Sequence, residues 1–185
     1  MKEDAFYIEQ FLGGEEKAFE AIVRKYQDRV LNIVFSLVGK DRESEDIAQE
    51  AFLKAYRGLR GFGRRSQFST WLYRIVMNTA YYFLRKRKNV VTEEEALGQS
   101  ADASGGREDV LSALLIKEKE ALIQKALNKV PLPYRAAVVL KDIEGLSYNE
   151  ISKVLGCRIG TVESRIYRAR QMLRKELMRL GGDVI

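Results

Sequence analysis

Histidine is absent from the 185-residue sequence, and cysteine occurs once, at Cys157. Without histidine there is no Ser-His-Asp or Cys-His nucleophile, and one cysteine supports neither a disulfide framework nor a Cys/His zinc site. Cys157 itself reads as a small buried apolar residue. Phosphate-cradling GxxxxGK[ST] and GxGxxG loops are also missing. No apolar run approaches the ~18 residues that a bilayer-spanning helix needs. The amino-terminal MKEDAFYIEQFLGG breaks its apolar residues with charge, unlike a signal peptide. These absences lead us to expect a cytoplasmic protein that binds rather than reacts, with no catalytic residue, metal or cofactor.

Charge is plentiful and unevenly placed. The net charge is +6, but residues 1–90 carry 17 basic against 12 acidic side chains, residues 91–124 carry 3 against 8, and residues 125–185 carry 12 against 6. Two basic blocks around an acidic middle suggest two polyanion-binding domains on one linker. From Val91 to Glu108 the chain is rich in Glu, Ser, Ala and Gly and lacks apolar periodicity, the composition of a flexible acidic linker.

Both blocks read as helical, so the expected fold class is all-α: two small helical domains, 1–90 and 109–185, joined by the linker 91–108. Phe19, Ile22, Val23, Tyr26, Val30, Ile33, Val34, Leu37 and Val38 recur at three- and four-residue spacing. Ile47, Ala48, Ala51, Phe52, Ala55 and Tyr56 repeat it, before Gly58, Gly61 and Gly63 break the chain. Val110 to Val130 is one long helical pattern stopped by Pro131 and Pro133, and Tyr134 to Ile143 predicts a further short helix.

The sharpest local signal is LSYNEISKVLGCRIGTVESRIYRARQMLRKEL. Ser147 and Glu150 make a capping box, with Leu146 and Ile151 placed for the hydrophobic staple around it. Gly156 supplies a left-handed cap, and Val162, Ile166, Ala169, Leu173 and Leu177 then share one face of a longer helix. The pattern is a helix-turn-helix whose second helix can enter a major groove. Its outer face carries Thr161, Ser164, Arg165 and Arg168, flanked by Glu163, Tyr167 and Arg170. Arg suits guanine edges and phosphates, Ser bonds either base type, and Glu accepts from cytosine.

The stretch Phe68 to Lys88 combines six aromatic rings with Arg74, Arg85, Lys86, Arg87 and Lys88, and follows Arg64 and Arg65. At 100° per residue, Leu72, Ile75, Val76, Thr79 and Phe83 fall on one inward face. Arg74, Asn78, Tyr81, Arg85 and Lys88 lie opposite, with Trp71 and Tyr82 at the border. Exposed rings beside cations suit single-stranded nucleic acid, whose bases stack while Arg and Lys follow the backbone. On the preceding helix, dipole effects account for Asp41, Glu43, Glu45 and Asp46 in the early turns but not for Gln49 and Glu50 deeper in. An acidic patch of Asp46, Gln49 and Glu50 on a basic protein suits a basic protein surface.

EDIAQEAFLKAY, FSTWLYRIVMNTA, the linker, and LSYNEISKVLG with GTVESRIYRAR resemble, in order and spacing, the bacterial extracytoplasmic-function (ECF, group IV) sigma factors of the sigma-70 family. The resemblance spans about Ala18 to Leu177. It implies a sigma region 2 and a sigma region 4 that direct RNA polymerase to promoters. It implies that Asp46, Gln49, Glu50 and Phe52 dock on the clamp coiled coil of core RNA polymerase, while region 4 meets the flap. The loop Phe62 to Phe68 would capture a flipped base of the −10 element with help from Asn78. The −10 contacts are then Phe62, Arg64, Arg65, Phe68, Trp71, Arg74, Asn78, Tyr81 and Arg85. Thr161, Glu163, Ser164, Arg165, Tyr167, Arg168 and Arg170 would read the −35 element as duplex. Glu163 departs from the pattern, where a basic residue often stands. A cognate anti-sigma factor is also implied. Two other readings stand beside it: a stand-alone helix-turn-helix regulator, and a Mg²⁺-dependent phosphohydrolase using Glu43, Glu45, Asp46 and Glu50.

Overall fold

The chain begins with a helix that periodicity did not reveal. In the computed structural model, which describes residues 2–39, 42–64, 66–90 and 109–181, α1 runs Lys2–Leu12 and buries Ile8 and Phe11. The 91–108 linker, Asp41 and Arg65 lie outside those residues, as do the side chains of 88–90 and 109–117. Phe11 packs edge-on against Tyr56 at 5.2 Å between ring centroids, and Tyr56 against Phe19 at 5.2 Å. Polar contacts then hold α1 along the next helix. Lys25 Nζ lies 2.7 Å from both Glu3 and Asp4, and the buried Tyr26 hydroxyl donates to Asp4 at 3.0 Å.

Helix α2 (Ala18–Val38) turns its predicted apolar stripe inward, with Ile22, Val30, Ile33, Val34 and Leu37 almost wholly enclosed. Helix α3 (Arg42–Gly58) presents Ala48, Ala51 and Ala55, small residues that let it pack closely between α2 and α4. A 3-10 turn, Leu59–Gly61, then leads to α4 (Phe68–Val90). Each fully buried aliphatic side chain here contributes roughly 1.5–3 kcal/mol of transfer free energy.

Helix α5 (Asp109–Lys129) stops two residues ahead of Pro131, as the prolines predict. Helix α6 (Leu132–Val138) starts earlier than expected, because Pro133 sits in its first turn, where its missing N–H costs nothing. It then widens into a π turn, Val139–Ile143, so the predicted Tyr134–Ile143 helix is α-helical only in part. Helix α7 (Tyr148–Leu155) has the full capping box: the Glu150 N–H donates to Ser147 Oγ at 3.3 Å, and the Ser147 N–H donates to the Glu150 carboxylate at 2.9 Å. Gly156 closes it at φ 63°, a left-handed conformation that favours glycine. Helix α8 (Ile159–Arg179) follows and buries Val162, Ile166 and Ala169. No strand occurs among the described residues, and none of their helices is long and apolar enough to cross a membrane.

The fold is all-α, with two helical regions, and the regions touch. Helix α4 packs on α7, while α2 packs on α5, α6 and the π turn. Ala136, Ala137, Leu140, Ile151, Val154, Val162 and Ile166 join the same apolar cluster as Val30, Leu72 and Tyr73. This contact explains one departure from the helical wheel of α4. Leu72, Val76 and Thr79 are buried and Ile75 and Phe83 half-buried, but Tyr73, Met77 and Ala80 are enclosed as well. A helix covered by α2, α3 and α7 buries a wider arc than one packed on a single side.

Candidate nucleic-acid interface

Between Glu50 and Glu93 the sequence has no acidic residue, so the 3-10 turn, the following loop and α4 form an uninterrupted source of positive charge. Phe62 and Phe68 bracket that loop and pack against Trp71 as tilted rings, at 5.1 and 5.6 Å between centroids. Trp71 is half-buried, and its indole lies against Gly58, where a Cβ would come within 3.3 Å of the ring. Trp71 is thus neither enclosed nor fully exposed, in keeping with its border position on the helical wheel, and its ring packs on Gly58, Phe62 and Phe68.

Arg64, in the same loop, has φ 52°, the left-handed region that costs a side-chain-bearing residue energy. Glu9 of α1 holds it at 3.0 Å. Asp4, Ala5 and Ile8 of α1 face Phe62, Arg64, Ser66, Gln67 and Phe68 across a cleft of about 170 Å³. A cavity near 150 Å³ accommodates a benzene-sized ring. The α1 residues are the part of this site that sequence reading missed. Their only signal was the i, i+3 pair Ile8 and Phe11, obscured by the surrounding charges.

Along α4, Arg74, Asn78 and Arg85 are exposed, whereas Tyr81 is half-buried. Burial pushes the Tyr81 hydroxyl up to about 12, partly offset by the nearby Arg165 charge. Helix α7 packs against α4, and Arg74 donates to the Lys153 carbonyl in its last turn through Nε, at 3.1 Å, and through Nη2. Tyr82, expected at the border, is exposed and sits under Lys54 at 5.8 Å.

On α8, Glu163, Ser164, Tyr167, Arg168 and Arg170 are exposed, and Thr161 and Arg165 are half-buried. Ser164 Oγ donates to the Thr161 carbonyl at 3.0 Å, which leaves its lone pairs free. Arg168 donates to the Tyr134 hydroxyl at 3.5 Å, and Arg165 lies 3.7 Å from the Cys157 sulfur. Cys157 is half-buried rather than enclosed. Arg170 is held in a bidentate pair with Asp142, at 2.6 and 3.0 Å, so its guanidinium is oriented before any ligand arrives.

On α3, Asp46 and Gln49 are exposed, and Glu50 and Phe52 half-buried. Glu50 pairs with Lys54 at 3.6 Å and Glu43 with Arg87 at 3.5 Å. These carboxylates face separate basic partners, and no group of His, Cys, Asp and Glu among the described residues is arranged to hold a metal ion.

Two regions of the chain match family models, Sigma-70 region 2 over residues 22–90 and Sigma-70 region 4 over residues 120–173. The chain is 38% identical over 185 residues to the RNA polymerase sigma-H factor of Pseudomonas aeruginosa, covering 97% of this chain and 96% of that protein. It is 35% identical over 183 residues to the ECF RNA polymerase sigma-E factor of Escherichia coli K12, covering 96% and 95%. Its fold matches the sigma factor RpoE of Bartonella quintana, solved with the anti-sigma factor NepR, with a TM-score of 0.69 and 27% identity over 88% of this chain and 98% of that one.

A two-region helical protein with a helix-turn-helix at its carboxy-terminal end is thus defined as a transcription initiation factor. The chain belongs to the ECF (group IV) sigma factors of the sigma-70 family. It directs RNA polymerase to promoters for transcription initiation, and it is not an enzyme.

Proposed function

We propose that this sigma factor divides its work between residues 1–90 and residues 109–185, with 91–108 as the connection. Asp46, Gln49, Glu50 and Phe52 dock on the clamp coiled coil of core RNA polymerase, and region 4 meets the flap. Phe62, Arg64, Arg65, Phe68, Trp71, Arg74, Asn78, Tyr81 and Arg85 engage the melted −10 strand. Thr161, Glu163, Ser164, Arg165, Tyr167, Arg168 and Arg170 read the −35 duplex. The protein works in the cytoplasm, where the polymerase is.

The observation that carries this reading is the cleft between α1 and the Phe62–Phe68 loop, set at the foot of the Arg74–Asn78–Tyr81 stripe. An apolar-walled slot beside rings and cations suits a base removed from its stack, with phosphates led along α4. The Bartonella relative was solved with an anti-sigma factor, which supports a partner of that kind here.

In vitro transcription with core polymerase and a promoter library tests the reading and yields the consensus. We expect transcripts that depend on the chain and share paired −10 and −35 elements. Phe62→Ala with Asn78→Ala should abolish open complexes while sparing duplex binding. Tight duplex binding without polymerase, and no transcription with it, would instead favour the stand-alone regulator.

A further inference from the structure

The first turn of α8 exposes an apolar side chain that the core does not use. Val162, Ile166 and Ala169 run along the buried side of the helix, yet Ile159, one turn before Val162, is 41% exposed. Helix α7 has already ended at Leu155, and Ile159 lies outside both buried apolar clusters. A single exposed isoleucine is ordinary on a protein surface. Its neighbours make this one informative.

Residues four apart on a helix are neighbours on its surface. Ile159, Glu163 and Tyr167 therefore form one row, which Arg170 ends; the last three are exposed. Asp142 pins the Arg170 guanidinium at 2.6 and 3.0 Å, so the far end of the row is fixed on region 4. The near end is the aliphatic one, and it stands where a recognition helix touches base edges, at its amino-terminal residues. The Ile159 side chain has no donor and no acceptor. In a major groove its one apolar target is the C5-methyl group of thymine.

We propose that Ile159 is a specificity-determining residue of this sigma factor, packing on a thymine methyl in the −35 duplex. This inference rests on the duplex-reading assignment of α8 given above, and adds a residue and a base to it. The row also places that base. Four helical residues rise about 6 Å and successive bases on a strand lie about 3.4 Å apart, so the thymine falls within about two base pairs of the Glu163 contact.

Holoenzyme assembled from core polymerase and the full chain tests this on a −35 library. Ile159→Ala should flatten one thymine column, inside that window around the column that Glu163→Gln flattens. Replacing the same thymine with deoxyuridine removes the methyl and keeps every hydrogen-bonding group. It should weaken parent holoenzyme binding about fourfold, the effect of withdrawing one methyl group from an apolar contact. Ile159→Ala holoenzyme should not distinguish the two bases. Ile159→Gln, a similarly long side chain that also favours a helix, should lose the distinction too, whereas Ile159→Val should keep it. A thymine column that Ile159→Ala leaves intact, a parent indifferent to deoxyuridine, or an equal loss in parent and both variants overturns the role of Ile159. A library with no −35 preference, in which Ser164→Ala and Arg168→Ala are also silent, removes the duplex-reading assignment of α8 and this inference with it.

Discussion

The Arg74 guanidinium donates two hydrogen bonds to a single acceptor, the Lys153 carbonyl, and so joins α4 to the first helix of the helix-turn-helix. A charged side chain on an exposed helix face has many possible partners. That it takes one from the other end of the chain shows how closely the two regions sit.

Glu50→Arg should weaken core polymerase binding by at least tenfold, read by fluorescence anisotropy of labelled protein against purified core enzyme. The Glu50–Lys54 pair is partly exposed and spaced i, i+4, so its loss costs only about 0.3–0.5 kcal/mol of stability. An unchanged melting temperature with lost binding separates docking from folding. Unchanged binding would remove the α3 patch from the polymerase interface.

Trp71 is the only tryptophan, so intrinsic emission reports directly on the face proposed to bind the melted strand. Adding a single-stranded oligonucleotide should quench that emission as bases stack near Phe62, Phe68 and Trp71. Phe62→Ala should reduce the quenching and cost roughly 1–3 kcal/mol of affinity, the range for one stacked base. Emission indifferent to oligonucleotide would place the strand elsewhere.

The capping box predicts a dependence on pH. Hydrogen bonds from the Ser147 side chain and backbone hold the Glu150 carboxyl below its usual range, with Ser147 Oγ 2.6 Å away. A depressed carboxyl pKa means stability that is fully present above the unfolded value and is lost as pH falls through the folded value. Ser147→Ala should therefore cost about 1 kcal/mol at pH 7, in urea denaturation. Glu150→Gln should likewise be less stable than the parent at pH 7, and the two should converge below the usual carboxyl range. A Glu150→Gln deficit that persists undiminished in acid would contradict the assignment.

Glu163 stands exposed on the outer face of α8, where it can accept from a cytosine amine. Glu163→Gln should relax the preference at one −35 position by roughly 1–3 kcal/mol, visible as a flattened column in library transcription. A preference spectrum unchanged by this substitution would assign Glu163 to solvent alone.

Much of this was legible in the residues because it depends on local chemistry. The capping box, the left-handed Gly156, the α2 stripe and the proline stop after α5 each follow from side chains a few positions apart. Helix α1 was hidden because its apolar face is only Ile8 and Phe11, diluted by charges that the fold uses against Lys25 and Arg64. The wider buried arc of α4 was hidden because a helical wheel assumes one neighbour, whereas Tyr73, Met77 and Ala80 have neighbours on several sides.

Spacing and composition alone settled the helical class, the two basic regions and the helix-turn-helix, since periodicity and caps act within a turn or two of chain. They also made the Phe68–Lys88 stretch a helix with an apolar and a basic-aromatic side. Which partner meets that second side depends on groups about eighty residues away. The Lys153 carbonyl offers Arg74 no sequence signal, because any residue at 153 would carry the same oxygen. Backbone acceptors become specific only when folding aims them, so the meeting of the two regions was decided in space.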